Sequence, residues 1–488
     1  MKRKDFLTLS AGSVGAVLLS RCANVRSLPQ PKTASLAPAT YVSQGGLLEL
    51  DLDARAQAVS IDGQSANLLS YGGRIPGPQL EVRPGDTVRI HFTNHLAAPT
   101  NLHYHGLHIP PTGQADNPFL EISTGDRLTY EFTIPADHHS VTAYYHPHVH
   151  GYVAQQIFGG LGGVLIVRGA LDEIPEIQSA QEELLFLKDF DLSQPVNSPD
   201  PYFGIQMPGR EGALATVNGQ VNPSFTIPSG GLLRFRIVNA STSRFYRLAL
   251  EDHPLYLIAT DGGAIAQPVE LPELLLSPGE RAEVLVRGNR EPGQYRLLNL
   301  PYQRGAMGMM GGMMGNMMGQ RESERDQQGD SSPHTLATLT YSGQGELLPL
   351  PQQLIAVEAL PEPQNVRQFT LNHGMVAGRG MAFLINGRSF DHGHVDTQVT
   401  LDTVEEWELI NTGVMDHPFH LHTNRFQIIS RNNQPVPYPA WKDTILIPAG
   451  ESARIRVAFK DFTGQTVYHC HILDHEDLGM MGVIEMQA

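Results

Sequence analysis

Pro84-Gly85-Asp86-Thr87-Val88-Arg89-Ile90-His91-Phe92-Thr93-Asn94 is the stretch on which the fold turns. Val88, Ile90 and Phe92 are apolar, while Arg89, His91 and Thr93 between them are polar. A period of two is the mark of a half-buried strand, and Pro-Gly-Asp supplies the turn before it. The pattern returns at Leu233, Phe235, Ile237 and Asn239 after Pro228-Ser229-Gly230, and again at Trp407, Leu409 and Asn411. Asn218-Gly219 and Asn386-Gly387 turns precede the second and third copies. Three related β-sandwich units follow from this repetition. Their boundaries fall near residue 170 and within the Pro- and Gln-rich stretch 345–365. Helical periodicity is scarce, and its best candidate is Asp172 to Glu183.

The repeats align on their closing asparagines. Nine residues on from Asn94, Asn239 and Asn411 stand His103, Leu248 and His420; two further stand His105, Leu250 and His422. On this count the outer units carry His-x-His where the middle unit carries Leu-x-Leu. Six His-x-His pairs occur among 21 histidines, where chance gives roughly one. His148-Val149-His150 and His392-Gly393-His394 read as surface turns or satisfied polar contacts. The four others are His103/His105, His146/His148, His420/His422 and His469/His471. Residues i and i+2 of a strand share a face, so each pair presents two imidazoles to one place. Eight imidazoles exceed the needs of one metal, and a metal cluster between units one and three is the economical reading. Cys470 must then face the opposite side from His469 and His471. With His417, His475 and Met480 it makes two imidazoles, a thiolate and a thioether, the donor set of a blue-copper centre.

The composition agrees. At roughly 150 residues per domain, 488 residues suggest about three domains. Lys plus Arg is 34 against 50 for Asp plus Glu, a net charge of −16, which argues against a nucleic-acid partner. Hydrophobic residues make up 41%, enough for several cores. Two cysteines, Cys22 and Cys470, exclude a disulfide framework. Past the N-terminus no apolar run suffices for a membrane span. Met1-Lys2-Arg3-Lys4 followed by the apolar Phe6 to Leu19 reads as an export signal. Arg3-Lys4-Asp5-Phe6-Leu7 is similar to a twin-arginine signal with Lys in the second basic place. Leu19-Ser20-Arg21-Cys22 faintly resembles a lipoprotein box, with an atypical Arg before the Cys.

Between 307 and 318 seven of twelve residues are Met: Met307, Met309, Met310, Met313, Met314, Met317 and Met318. The interleaved Gly disfavours a helix, and the stretch 320–332 that follows is highly polar. An exposed loop of soft thioethers suits Cu(I) capture; the alternative is a flexible low-complexity insertion.

At these motifs the chain resembles the three-domain multicopper oxidases of the bacterial laccase and cuprous oxidase type. All four His-x-His motifs match, and no ligand position departs from the pattern. The resemblance implies an all-β chain of three cupredoxin-like Greek-key β-sandwich domains binding four copper ions. Residues 1–22 would be the export signal. Domain 1 (40–170) would hold half of a trinuclear site, and domain 2 (171–345) no copper ligand but the Met-rich loop 306–319. Domain 3 (366–488) would hold the type 1 copper and the other half. By motif position, type 1 copper takes His417, Cys470, His475 and Met480; type 2 takes His103 and His420; the type 3 pair takes His105, His146, His148, His422, His469 and His471. Asp116 stands near where the family places an acid by the cluster, or is a turn residue. Glu476 resembles a second carboxylate of the proton path, or is a solvated acid. Asp416, beside His417, either adds charge there or caps a turn.

The implied reaction is one-electron oxidation of a reductant coupled to four-electron reduction of O2 to water. Cu(I), in copper tolerance, is the favoured reductant, since the acidic surface attracts cations. Small phenols and aromatic amines are the alternative, and a copper-binding protein without turnover is the third. The expected molecule is a monomer, periplasmic or otherwise exported, without nucleic-acid partner or membrane span.

Overall fold

The computed structural model describes residues 39–193, 207–304, 332–378 and 380–488. Residues 1–22, expected to be an export signal, and the whole Met-rich run lie outside the described residues. Six β-sheets pair into three sandwiches built from the strands Thr40–Val42 to Gly163–Val167, Gln181–Phe190 to His334–Ser342, and Asn365–Val376 to Met481–Gln487.

The three-copy pattern is a pattern of pairing. Thr87–Asn94 runs parallel to Leu47–Ile61 and antiparallel to Arg127–Thr133. Leu232–Asn239 has Gln181–Phe190 and Arg281–Arg287 in those places, and Thr403–Asn411 has Asn365–Val376 and Ser452–Phe459. Val88, Ile90 and Phe92 are buried, as the alternation requires. Asn218 and Asn386 take φ +53 before glycines at +74 and +72, the left-handed pair of a two-residue hairpin turn. Trp407 is fully buried in the third core and donates its Nε1–H to Glu405 at 2.8 Å; truncation to Ala there costs about 3–5 kcal/mol.

Asp172 to Glu183 is not one helix. A 3-10 turn Ala170–Glu173 and a short helix Pro175–Ser179 lead into the strand Gln181–Phe190. Pro175 opens the short helix, and pairing with Leu232–Asn239 from Gln181 onward ends it.

The nine-residue count also slips in the middle sandwich. Each closing asparagine folds its own loop: Asn94 Nδ2 donates to the carbonyls of Ala98 and Ile122, and Asn411 Nδ2 to those of Met415 and Ile447. Asn239 does the same to Arg244 and Leu276. The first acceptor is four residues on in the outer sandwiches and five on in the middle one. One extra residue in a strand connection sends every following side chain to the other face. Leu248 and Leu250 therefore match the core residues Leu102 and Tyr104, or Phe419 and Leu421, and enter the middle core. The places equivalent to the imidazoles are Ala249 and Glu251.

Candidate metal centres

Strand pairing assembles the histidines. His103–His105 lies antiparallel to Val141–His146, with His103 opposite His146. His417–Leu421 lies antiparallel to Gly464–Cys470, with His420 opposite His469 and Phe419 opposite Cys470. Residues between the imidazoles, Tyr104 and Leu421, turn into their own cores, so the His-x-His faces point out of their sandwiches and toward each other.

All eight imidazoles meet in one buried cluster. Three triads have donor atoms within 4.8 Å of one another: His103, His105 and His420; His105, His146 and His471; His148, His422 and His469. The far nitrogens set the tautomers. His146, His420 and His469 each donate Nδ1–H to a backbone carbonyl, those of Pro147 (2.9 Å), Asp443 (2.9 Å) and Cys470 (3.0 Å). His103 Nδ1 is 2.9 Å from Asp116 Oδ1. A proton on Nδ1 leaves a lone pair on Nε2. The Nε2 atoms of His103, His146 and His420 are buried without a hydrogen-bond partner, and so are Nδ1 of His105, His422 and His471. The Nε2 of His469 stands 3.2 and 3.1 Å from those of His148 and His422. Burial, then the neighbouring histidines, disfavours the charged form of seven of these rings. His103, His105, His146, His422, His469 and His471 are pushed far below the usual imidazole range, and His148 to about 3. Neutral rings with inward, unpartnered lone pairs on oriented imidazoles fit metal ions.

The second place lies inside the third sandwich. Cys470 Sγ is 3.5 Å from His417 Nδ1 and 3.6 Å from His475 Nδ1, and those two nitrogens are 3.2 Å apart. His475 donates Nε2–H to the Met207 carbonyl at 2.8 Å, which frees its Nδ1. Met480 is fully buried, and its carbonyl accepts from Cys470 N–H at 3.0 Å. Burial pushes the Cys470 thiol up and His417 down to about 3. Two neutral imidazoles converging on a buried sulfur fit a soft transition metal.

The two carboxylates expected near the cluster are there. Asp116 accepts Tyr104 N–H at 2.9 Å through the oxygen that meets His103, and burial raises it to about 7. Glu476 is fully buried, 3.2 Å from His469 Nδ1 and 3.7 Å from His148 Nδ1, and burial raises it well above the carboxylate range. Asp416 is a structural acceptor, taking Tyr302 O–H at 2.8 Å and Ala449 N–H at 2.9 Å. His150, His392 and His394 are exposed.

Three features had no spacing signal. Asp443 Oδ1 lies 3.1 Å from His105 Nε2, and Arg281 of the middle sandwich grips Asp443. The Tyr144 hydroxyl lies 2.9 Å from His471 Nε2. The hairpin of Asn365–Val376 and Gly380–Ile385 sets His373 opposite Phe383 and Met375 opposite Met381, all on one face. Phe383 stacks on His475 at 3.8 Å, and Met375 is 76% exposed.

Models of the multicopper oxidase family match residues 53–171, 189–312 and 360–488. The chain is 29% identical to the multicopper oxidase mco of Staphylococcus haemolyticus over 86% of its own length and 84% of that protein. It superposes on a multicopper oxidase from Campylobacter jejuni, described as a metallo-oxidase, with TM-score 0.79 at 30% identity, covering 94% and 96% of the two chains. A laccase-like enzyme of Ochrobactrum sp., with oxidase activity towards lignin model compounds, gives TM-score 0.77 at 26% identity over 92% and 99%.

Proposed function

Because the chain belongs to the multicopper oxidase family, we propose that its reductant is Cu(I), oxidised beside His475 while O2 is reduced at the eight-imidazole cluster. In this reading His417, Cys470, His475 and Met480 hold type 1 copper. His103 and His420 hold type 2. The type 3 pair divides between His105, His146 and His471 on one side and His148, His422 and His469 on the other. Copper in these places supplies one-electron acceptance at Cys470 and four-electron reduction of O2 at the cluster. The protein supplies the rest. Cys470 is joined by one peptide bond to His469 and by another to His471, so the backbone itself links the two places. Glu476, whose charged form burial disfavours, stands against His148 and His469, and Asp116 against His103; these are the proton carriers. Residues 1–22 are read as an export address, which puts copper oxidation outside the cytoplasm.

The observation that carries Cu(I) is the hairpin of His373, Met375 and Met381. Thioethers and imidazole lead along one face from an exposed methionine to Phe383, which stacks on His475. Soft donors there select Cu(I) over phenols. Steady-state O2 uptake with Cu(I) against a bulky phenol tests it. A higher kcat/KM for Cu(I), lowered about 10-fold or more by Met375→Ala with Met381→Ala and lowered again by deleting 307–318, supports the reading. Preference for the phenol, indifferent to both changes, makes laccase-type oxidation the function.

A further inference from the structure

The middle sandwich gives no imidazole to the cluster, yet one of its side chains reaches the cluster's back. Arg281 opens the strand Arg281–Arg287 and is fully buried. All five N–H groups of its guanidinium are placed. Nε donates to the Thr142 carbonyl at 3.1 Å. Nη1 donates to the Gly279 carbonyl at 2.9 Å and Asp443 Oδ1 at 2.8 Å. Nη2 donates to the Asp261 carbonyl at 2.9 Å and Asp443 Oδ2 at 2.5 Å. A guanidinium has five donors and no acceptor, so this one has no second arrangement to choose. Its fork meets the Asp443 carboxylate with two parallel bonds.

Asp443 passes that constraint on. Its Oδ1 accepts from His105 Nε2 at 3.1 Å and Thr444 Oγ1 at 2.9 Å, and its carbonyl accepts from His420 Nδ1 at 2.9 Å. One residue thus holds the outer nitrogen of one imidazole from each half of the cluster. The two rings stack at 3.7 Å with 12° between their planes. Asp443 N–H and Thr444 N–H are themselves anchored on Asp261 Oδ2, at 2.6 and 3.0 Å. Gly106 shows how tight the junction is: a Cβ there, at φ +95, would lie 2.1 Å from Arg281 Nη2. The residue after a cluster histidine is glycine because the guanidinium of another sandwich occupies the space.

We propose that Arg281 and Asp443 are a positioning pair through which the middle sandwich aims His105 and His420, and so sets how tightly the cluster holds its metal. The proposal rests on the copper assignment above. Lysine at 281 keeps the charge but loses the fork, so Arg281→Lys is the discriminating change, made in the full chain and loaded with copper. Expected are roughly 10- to 100-fold weaker retention of cluster copper against a chelator and an altered hyperfine splitting of the type 2 signal in electron paramagnetic resonance. The blue absorption stays as in the wild type, while the Tm of the copper-free chain falls with the buried fork, and Asp443→Asn repeats the pattern. Unchanged retention and splitting overturn the proposal. Parallel loss of blue and cluster copper also overturns it, leaving only a staple between sandwiches. Should Arg281→Lys fail to fold, Arg281→Met with Asp443→Asn removes both charges together, and the same measurements decide. A wild-type protein with neither blue band nor type 2 signal overturns the copper assignment and the pair with it; both signals present and an indifferent variant overturn the pair alone.

Discussion

The loops behind Asn94 and Asn239 differ by one residue, and that residue separates a sandwich that sends imidazoles to the cluster from one that sends none. Both asparagines make the same three hydrogen bonds, including one from the N–H two residues on to their own Oδ1. The loop of Asn94 spans four residues to its first acceptor and that of Asn239 five. Beyond them, Leu248 and Leu250 fill a core, while His103 and His105 leave theirs for the interface. The places that match His103 and His105 in the middle sandwich are Ala249 and Glu251, not the leucines. What the middle sandwich retained is a supporting role, with Arg281 behind His105 and Gly279 against the His471 ring.

The strongest way to break this comparison is to shorten the longer loop. Deleting one residue from 240–244 turns Leu248 and Leu250 outward and Ala249 and Glu251 inward. The copper-free chain then loses about 4 kcal/mol or more in urea unfolding; unchanged stability would mean that loop length does not choose the face. Next comes Gly106→Ala, which forces a methyl group onto Arg281 at a positive φ. A loss of about 2–3 kcal/mol is expected, with depletion of cluster copper and an intact blue band, read by metal analysis and absorbance. Smaller again, Asp116→Asn and Glu476→Gln act only on the outer-sandwich side. Each lowers kcat roughly 10- to 100-fold with KM for the reductant unchanged. The smallest effect sharpens the middle sandwich alone. Burial lowers the Lys188 ammonium to about 8 from its ordinary 10.5. Between those pH values the unfolded chain binds the proton more tightly, so Lys188 makes stability rise with pH across that window. Against Lys188→Met, the wild type should gain of order 1–2 kcal/mol from pH 8 to 10.5 in the copper-free state.

The fold was legible because strands write a period of two into the sequence, and Val88, Ile90 and Phe92 have equivalents in all three sandwiches. The eight imidazoles were legible for the same reason: residues two apart on a strand share a face, so each pair points into the same cluster. The extra residue after Asn239 was not, since a polar loop carries no period from which to count. Asp443 and Arg281 stand 162 residues apart and meet His105 only through tertiary packing, so no local spacing announces them. The helix read over Asp172 to Glu183 fails at Pro175 and at the strand beginning with Gln181. His373 and Met375 were passed over because a lone pair of soft donors gains meaning only from the cross-strand Met381 and Phe383.

The split of donors between sandwiches implies an order of maturation. His417, Cys470 and His475 all belong to the last sandwich, and they converge inside it. The cluster draws four imidazoles from residues 103–148 and four from 420–471. A chain emerging from its N-terminus therefore has its first sandwich made, with half a cluster facing outward, long before the other half exists. In the proposed assignment the blue site can fill as soon as the last sandwich closes, while the cluster must wait for the two ends of the chain to dock. Copper supplied during folding should then be acquired in two stages, blue first.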